Sequence, residues 1–133
     1  MILTLKNVKY FEAGSQETPN FVADLYDDGK HVAEVANDGW GGGNYVSPVN
    51  GGNVSKYDNL DVESDIFEMV YDYGAVTKHQ SNSLVMKKGD ELHTCTFNVS
   101  IARLKSNPKN KAWLEGQISN YKKEGFTIIN RNI

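Results

Sequence analysis

The chain has 133 residues and a mass of 14.8 kDa, a length that predicts a single domain over residues 1–133. Hydrophobic residues make up 39% and charged residues 23% of the sequence, which is typical of a globular protein and excludes a disordered one. The single cysteine excludes an internal disulfide, and no stretch approaches the roughly 20 apolar residues of a membrane span. We therefore expect a reducing cytoplasm as the compartment, with no membrane partner.

The net charge of −3 is unevenly distributed along the chain. Residues 1–70 contain 12 acidic and 4 basic residues, whereas residues 71–133 contain 5 acidic and 10 basic residues. A protein that coats duplex nucleic acid needs a uniformly basic surface, so this class of partner is not expected. The asymmetry instead leaves room for a local anion site in the C-terminal part.

The N-terminal part of the sequence predicts β-structure. Residues 2–11 alternate between apolar and polar side chains, and a polar loop with Gly and Pro follows at 12–20. Two further strands are predicted at 21–26 and 31–36. Between them, residues 27–30 contain an Asp-Gly pair, and both residue types accept the positive φ that a two-residue hairpin turn needs.

Residues 37–56 are predicted to be irregular, apart from a short extended piece at 45–46. Six of the twelve glycines lie between Gly39 and Gly52, and glycine disfavours a strand interior because of its backbone entropy. The spacing is not Gly-x-Gly-x-x-Gly, since position 44 is Asn, so neither a dinucleotide fold nor a phosphate-binding loop is predicted. A loop of this length in a small domain is often functional.

Trp40 stands inside this glycine segment, and two interpretations of it stay open. The indole either fills the core or presents a flat face to a ligand or partner. Asn37 and Asn44 offer amide groups that suit hydrogen bonds to a base or a ribose.

The remaining elements are two helices and three strands. A helix is predicted at 63–78, capped by Asp61 or Ser64, with one apolar stripe formed by Ile66, Met69, Val70 and Tyr73. Strands are predicted at 83–88 and 91–101, a second helix begins with Asn107 as cap and ends before Gly125, and a short strand closes the chain at 126–129. The predicted fold is therefore α+β, a mainly antiparallel sheet with two helices in the order β-β-β-α-β-β-α-β.

No arrangement in the sequence predicts catalysis. No serine lies in a Gly-x-Ser-x-Gly turn, and Cys95 is predicted to share a strand face with Phe97, unlike the exposed, electropositive setting of a reactive thiol. The candidate metal ligands are His31, His79, His93 and Cys95, and their spacing does not supply the three or four ligands that zinc needs. We expect a protein that is not an enzyme and has no metal or cofactor.

The basic C-terminal third is the second candidate site. Between residues 101 and 133, seven residues are basic and two are acidic. Two interpretations stay open: a solvated surface, or an electropositive pocket for a phosphate-bearing ligand. Only two arginines are present, and the guanidinium fork of Arg103, predicted at a strand end, suits a phosphate best. The predicted ligand-binding residues are Trp40, Asn44, Phe97, Arg103, Lys122 and Arg131.

Two segments also resemble a known family. Residues 21–30 (FVADLYDDGK), followed by 35–42 (VANDGWGG), and the late run 121–130 (YKKEGFTIIN) resemble small phage-borne proteins, among them the anti-Thoeris sponge proteins. The resemblance covers the first 45 residues and the C-terminal tail. It implies an α+β homodimer or higher homo-oligomer without enzymatic activity, located in the host cytoplasm.

The resemblance also implies a function. Such proteins capture cyclic ADP-ribose isomers made by bacterial TIR-domain enzymes and so block host immune signalling; some members also take up cyclic oligonucleotides. The expected function is therefore anti-defence sequestration of a cyclic nucleotide-type signal that is not cleaved. The alternative is an inhibitor that binds a host protein through the glycine-rich Trp40 segment, because tryptophan is a frequent interface anchor.

Overall fold

The structure, a computed structural model, describes all 133 residues, which form two compact units of residues 1–74 and 75–133. We call them unit 1 and unit 2 and describe each by itself. The predicted α+β class is confirmed, and the strands form two antiparallel sheets. The prediction of a single domain stays a prediction. No helix has both the length and the apolarity of a membrane-spanning segment.

Unit 1 contains a four-stranded antiparallel sheet with the strands in chain order. The strands are β1 (Leu3–Tyr10), β2 (Asn20–Asp27), β3 (Lys30–Asp38) and β4 (Tyr45–Pro48). The predicted hairpin between β2 and β3 is confirmed. Asp28 and Gly29 have φ angles of 49° and 82°, the left-handed backbone that this turn requires.

The core of unit 1 lies between one face of this sheet and the first helix, α1 (Leu60–His79), whose residues up to 74 belong to this unit. Alternate residues of β2 point to the same face, and Phe21 and Leu25 are fully buried there. Ile66 and Val70 from the predicted apolar stripe of α1 are buried in the same cluster. The period-2 pattern of the strand and the 3.6 period of the helix therefore meet in one core.

The cap of α1 differs from the predicted one. The helix begins at Leu60, three residues before the predicted start, and the side-chain oxygen of Asn59 accepts a hydrogen bond from the N–H of Val62 at 3.0 Å. The prediction of Asp61 or Ser64 as cap is therefore wrong. Both asparagine and the two predicted residues are good caps, so the residue type alone did not select among them.

Unit 2 contains a three-stranded antiparallel sheet in the order β6-β5-β7 and two helices. The elements are β5 (Ser83–Lys88), β6 (Glu91–Thr96), α2 (Ile101–Lys105), α3 (Pro108–Lys123) and β7 (Thr127–Ile128). Leu84 from β5 is buried in one cluster with Leu104, Leu114 and Ile118 from the helices. The predicted cap of α3 is confirmed, because the Asn107 side chain accepts hydrogen bonds from the backbone N–H groups of residues 109 and 110.

The strand predicted at 91–101 is too long. β6 ends at Thr96, and residues 101–105 form the short helix α2. Ser100 caps this helix, since its Oγ accepts a hydrogen bond from the N–H of Arg103 at 3.1 Å. Ile101, predicted on the strand face of Cys95, is instead the first residue of α2 and is fully buried. The alternation of apolar residues did continue past Thr96, but the serine cap and the helix turn bury only Ile101 of this run, while Phe97 is half-buried and Val99 is exposed.

Candidate functional site

The glycine-rich segment that connects β3 to β4 is an ordered loop, and we call residues 37–44, which include the last two residues of β3, the Trp40 loop. Asn37 is 3% exposed, and its side chain makes four hydrogen bonds. Its Oδ1 accepts from Thr18 Oγ1 at 2.7 Å and from the N–H of Gly39 at 2.9 Å. Its Nδ2 donates to the carbonyl of Gly42 at 2.9 Å and to Asn44 Oδ1 at 3.2 Å.

These bonds correct the ligand-contact interpretation of Asn37. A primary amide has two N–H donors and one carbonyl oxygen with two lone pairs, and all of them are used by the loop itself and by Thr18. Asn37 is therefore a residue that fixes the loop rather than one that faces a ligand. The sequence signal for this role was an asparagine next to a Gly-containing turn, which fits both roles equally well.

A second segment of unit 1 holds the loop from outside. The carbonyl oxygen of Gly39 accepts backbone hydrogen bonds from residues 16, 17 and 18, at 3.0, 3.0 and 3.4 Å. Thr18 Oγ1 also accepts a hydrogen bond from the N–H of Gly41 at 3.2 Å. The residues on either side of Trp40 are thus both tied to the chain between β1 and β2.

Two of the loop glycines are required by this geometry. Gly39 has a φ of 87°, and a Cβ at this position would overlap the carbonyl oxygen of Gly14. Gly41 has a φ of 98°, and a Cβ there would overlap the carboxylate of Glu17. Other residues rarely adopt such angles, so the glycines permit close packing of the backbone and do not make a flexible tip.

Trp40 itself lies on the surface. Its side chain is 73% exposed, so the interpretation of the indole as a core residue is wrong. Tyr45, which begins β4 where the loop returns to the sheet, is 63% exposed. A large aromatic side chain on a hydrogen-bonded loop loses little further backbone entropy when it binds, which suits an interface anchor.

Asn44 lies in the same loop as Trp40 and is half-buried. Its Oδ1 accepts from Asn37, while its Nδ2 is buried and has no hydrogen-bond partner within the protein. These two predicted site residues therefore belong to one ordered loop of unit 1. The other four predicted residues belong to unit 2.

Of those four residues, one packs against another ring and two are exposed at helix ends. Phe97 follows β6, is half-buried, and meets the ring of Trp113 edge to face with 5.6 Å between the ring centroids. Arg103 is exposed in the last turn of α2, and not at a strand end as predicted. Lys122 is exposed in the last turn of α3, where a cation also interacts favourably with the helix dipole.

Arg131 is the fourth predicted residue, and it is held within unit 2. Its guanidinium donates to Thr77 Oγ1, and its backbone N–H donates to Gln80 Oε1 at 2.9 Å. The neighbouring Asn130 binds β5 through its side chain, which accepts from Val85 N–H and donates to the carbonyl of Ser83. Arg131 therefore has a role in fixing the chain end to unit 2.

The candidate metal ligands do not form a metal site. No three His, Cys, Asp or Glu side chains come together at ligand spacing anywhere in the chain. His93 lies 3.1 Å from a carboxylate oxygen of Glu91, and Cys95 packs against the core of unit 2. His31 stacks on Tyr26, with 5.0 Å between the ring centroids.

A buried polar cluster in unit 1 was missed at the level of the sequence. The hydroxyl of Tyr57 donates to Asp27 Oδ2 at 2.7 Å, and Lys56 Nζ lies 3.3 Å from the same oxygen. The hydrogen bond from Tyr57, supported by Lys56, lowers the pKa of Asp27 despite burial, while burial raises the pKa of Tyr57. A pocket of about 300 Å³ lies beside Tyr57 and His31. The hairpin explains Asp27 in the sequence, and no sequence spacing links it to a residue 30 positions away.

Comparisons of the chain with protein-family models, with curated proteins and with solved structures give no match.

Proposed function

We propose that this protein acts by binding another protein through the Trp40 loop, without enzymatic activity of its own. The observation that supports this function is the 73% exposed indole of Trp40 on a loop whose backbone is fixed on both sides. Tryptophan is enriched among the residues that contribute most to interface affinity. A fixed backbone reduces the entropy cost of binding, so the geometry suits an anchor better than a flexible tip would. The partner in this proposal is a host protein, as in the alternative function that the tryptophan in the glycine-rich segment indicates.

The test compares two tryptophan variants. Wild type, Trp40→Ala and Trp113→Ala are immobilised, exposed to host extract, and the retained proteins are quantified by mass spectrometry. Trp113 is the matched control, because it is the other tryptophan, is 49% exposed, and belongs to unit 2. We expect one partner to be retained by wild type and by Trp113→Ala, and to be lost from Trp40→Ala. Equal retention by all three proteins would contradict the proposal.

The second candidate function is sequestration of a cyclic ADP-ribose isomer, as the family resemblance proposes. The observation that favours it is the excess of basic residues in unit 2, where Arg103 and Lys122 are exposed and the rings of Phe97 and Trp113 meet each other. In this function the cations bind the phosphates and an aromatic face binds the base. The proposal includes a homo-oligomer as the binding form. Capture without bond chemistry needs a preformed site and a tight complex.

Native mass spectrometry of protein co-expressed with an active TIR-domain enzyme tests this second function. We expect a retained small-molecule mass that is released unchanged on heating, and its loss in an Arg103→Ala, Lys122→Ala double variant. The Lys105→Ala, Lys109→Ala double variant is the matched control. It removes the same total charge, one cation from α2 and one from the first turn of α3. Recovery of a hydrolysed product would contradict sequestration and favour an enzyme.

A further inference from the structure

The Trp40 loop has a distinct charge environment. Asp38 Oδ1 accepts the backbone N–H of Trp40 at 3.1 Å, so one carboxylate lies directly beside the exposed indole residue. The carboxylate of Glu17 lies where a Cβ on Gly41 would be. Both acidic residues are exposed. Two negative charges therefore lie beside the loop backbone, one at Trp40 and one at Gly41.

A third carboxylate comes from helix α1. Glu63 Oε2 lies 3.3 Å from the position that a Cβ on Gly43 would take. Glu63 stands in the first turn of the helix, where the dipole also favours a negative charge. None of the three carboxylates at positions 17, 38 and 63 forms a salt bridge. Their charge is therefore available to a partner.

Acidic residues outnumber basic ones in the sequence around the loop, and Lys9 of β1, which pairs with Val22, is separated from β3 by β2. Residues 11–44 contain seven acidic residues and one basic residue, Lys30. Lys30 begins β3, whereas the loop follows the other end of this nine-residue strand. At about 3.3 Å per residue the strand separates the two ends by roughly 26 Å, more than twice the Debye length at physiological salt.

We propose that the partner of the Trp40 loop is a protein segment that presents an arginine side chain to the indole. This inference rests on the proposed function and names the chemistry of the partner. A guanidinium stacks on an indole face by cation–π attraction, and the three carboxylates supply the complementary charge. Charge complementarity also steers the encounter and excludes anionic partners. A phosphate-bearing ligand at Trp40 would meet three like charges.

The test uses defined peptides. A Trp113→Phe protein retains Trp40 as its only tryptophan, so its emission reports on the loop. Hexa-arginine, hexa-glutamate and inorganic pyrophosphate are titrated at low salt, and affinities are confirmed by calorimetry. We expect hexa-arginine alone to bind and to change the emission. Trp40→Ala in the wild-type background should weaken hexa-arginine binding two- to thirtyfold, the range of a cation–π contact.

Matched charge variants separate a local site from general attraction. Glu17→Gln and Glu63→Gln should weaken hexa-arginine binding, and added salt should weaken it further. Asp28→Asn removes one negative charge at the hairpin between β2 and β3, at the opposite end of β3 from the loop, and should leave the affinity unchanged. Asparagine retains the oxygen that accepts the Ile2 N–H and tolerates the positive φ at this position.

Any of several results would overturn the inference. One is equal binding of hexa-arginine by wild type and Trp40→Ala; another is equal weakening by Asp28→Asn and Glu17→Gln. The third is binding of pyrophosphate, rather than hexa-arginine, at the loop. An oligomer on size-exclusion chromatography that dissociates in Trp40→Ala would assign the surface to a second copy of this chain and would also overturn it. If the peptides fail while the Trp40-dependent partner is still captured, the proposed function holds and only the arginine is wrong.

Discussion

The two units differ in the sign of their net charge and in the surroundings of their tryptophan. Unit 1 contains 13 acidic and 4 basic residues, and unit 2 contains 4 acidic and 10 basic residues. The tryptophan of unit 1, Trp40, is 73% exposed and stands on a loop with carboxylates beside it. The tryptophan of unit 2, Trp113, is 49% exposed and meets the ring of Phe97. Trp40 therefore has no aromatic ring packed against it, although the backbone of its loop is held in place by hydrogen bonds.

The difference shows that charge alone does not identify a site. The lysines and arginines of unit 2 first suggested an anion pocket, yet Arg103 and Lys122 lie in the last turns of helices, where a solvated cation is ordinary. In unit 1 the candidate surface is a single short loop, but the hydrogen bonds of Asn37 fix the backbone of that loop. Organisation of the backbone is therefore the stronger indication of a binding surface.

The largest expected effect tests whether the two cores are energetically separate. Phe21→Ala in unit 1 removes a fully buried ring and should lower the free energy of unfolding by about 3–5 kcal/mol. Leu114→Ala in unit 2 should cost about 2–5 kcal/mol. Hydrogen exchange should show that Phe21→Ala reduces protection in residues 1–74 more than in 75–133, and that Leu114→Ala does the reverse. An equal loss throughout the chain would instead indicate one cooperative domain.

A smaller effect is expected from the glycines of the Trp40 loop. Gly39→Ala places a Cβ at a φ of 87° and against the carbonyl oxygen of Gly14, so it should cost at least about 1–2 kcal/mol. The matched control is Gly42→Ala, where a Cβ would meet nothing within 4 Å. Thermal unfolding and the anisotropy of Trp40 fluorescence, in the Trp113→Phe background, measure stability and loop order. Equal stability and equal anisotropy of the two variants would contradict the fixed loop.

The smallest expected effect concerns acid stability in unit 1. The folded-state pKa of Asp27 is lowered chiefly by the hydrogen bond from Tyr57, so this contribution is complete above the unfolded pKa of about 3.9 and is lost as the pH falls through the folded pKa. Tyr57→Phe should therefore lower the melting temperature by a few degrees at pH 7 and by less at pH 3. Tyr26→Phe is the control, because the Tyr26 ring stacks on His31, whereas the hydroxyl that donates to Asp27 is that of Tyr57. If Tyr57→Phe lowered the melting temperature by the same amount at both pH values, the result would contradict the role of the ionised Asp27 carboxylate.

Much of the fold was predictable because it depends on neighbours in the sequence. The strand at 83–88 matches its predicted bounds, the Asp-Gly hairpin is present, and Asn107 caps the last helix. The short helix α2 was missed, since Ser100 caps it within a run whose apolar alternation continues like a strand. For the candidate site, the irregular segment around Trp40 was predicted, but the sequence left the exposure of the indole open and did not predict the structural role of Asn37.

The order of apolar, polar and turn residues decided the α+β class, the hairpins and the asymmetry of charge, because these depend on side-chain periodicity and on local φ preferences. The environment of Trp40 required the tertiary structure. Thr18 is 19 residues from Asn37, and Glu63 is 20 residues from Gly43, yet these pairs determine whether the loop is held and which charge surrounds it. Contacts between such distant residues follow from how strands and a helix pack, and no local pattern in the chain encodes them.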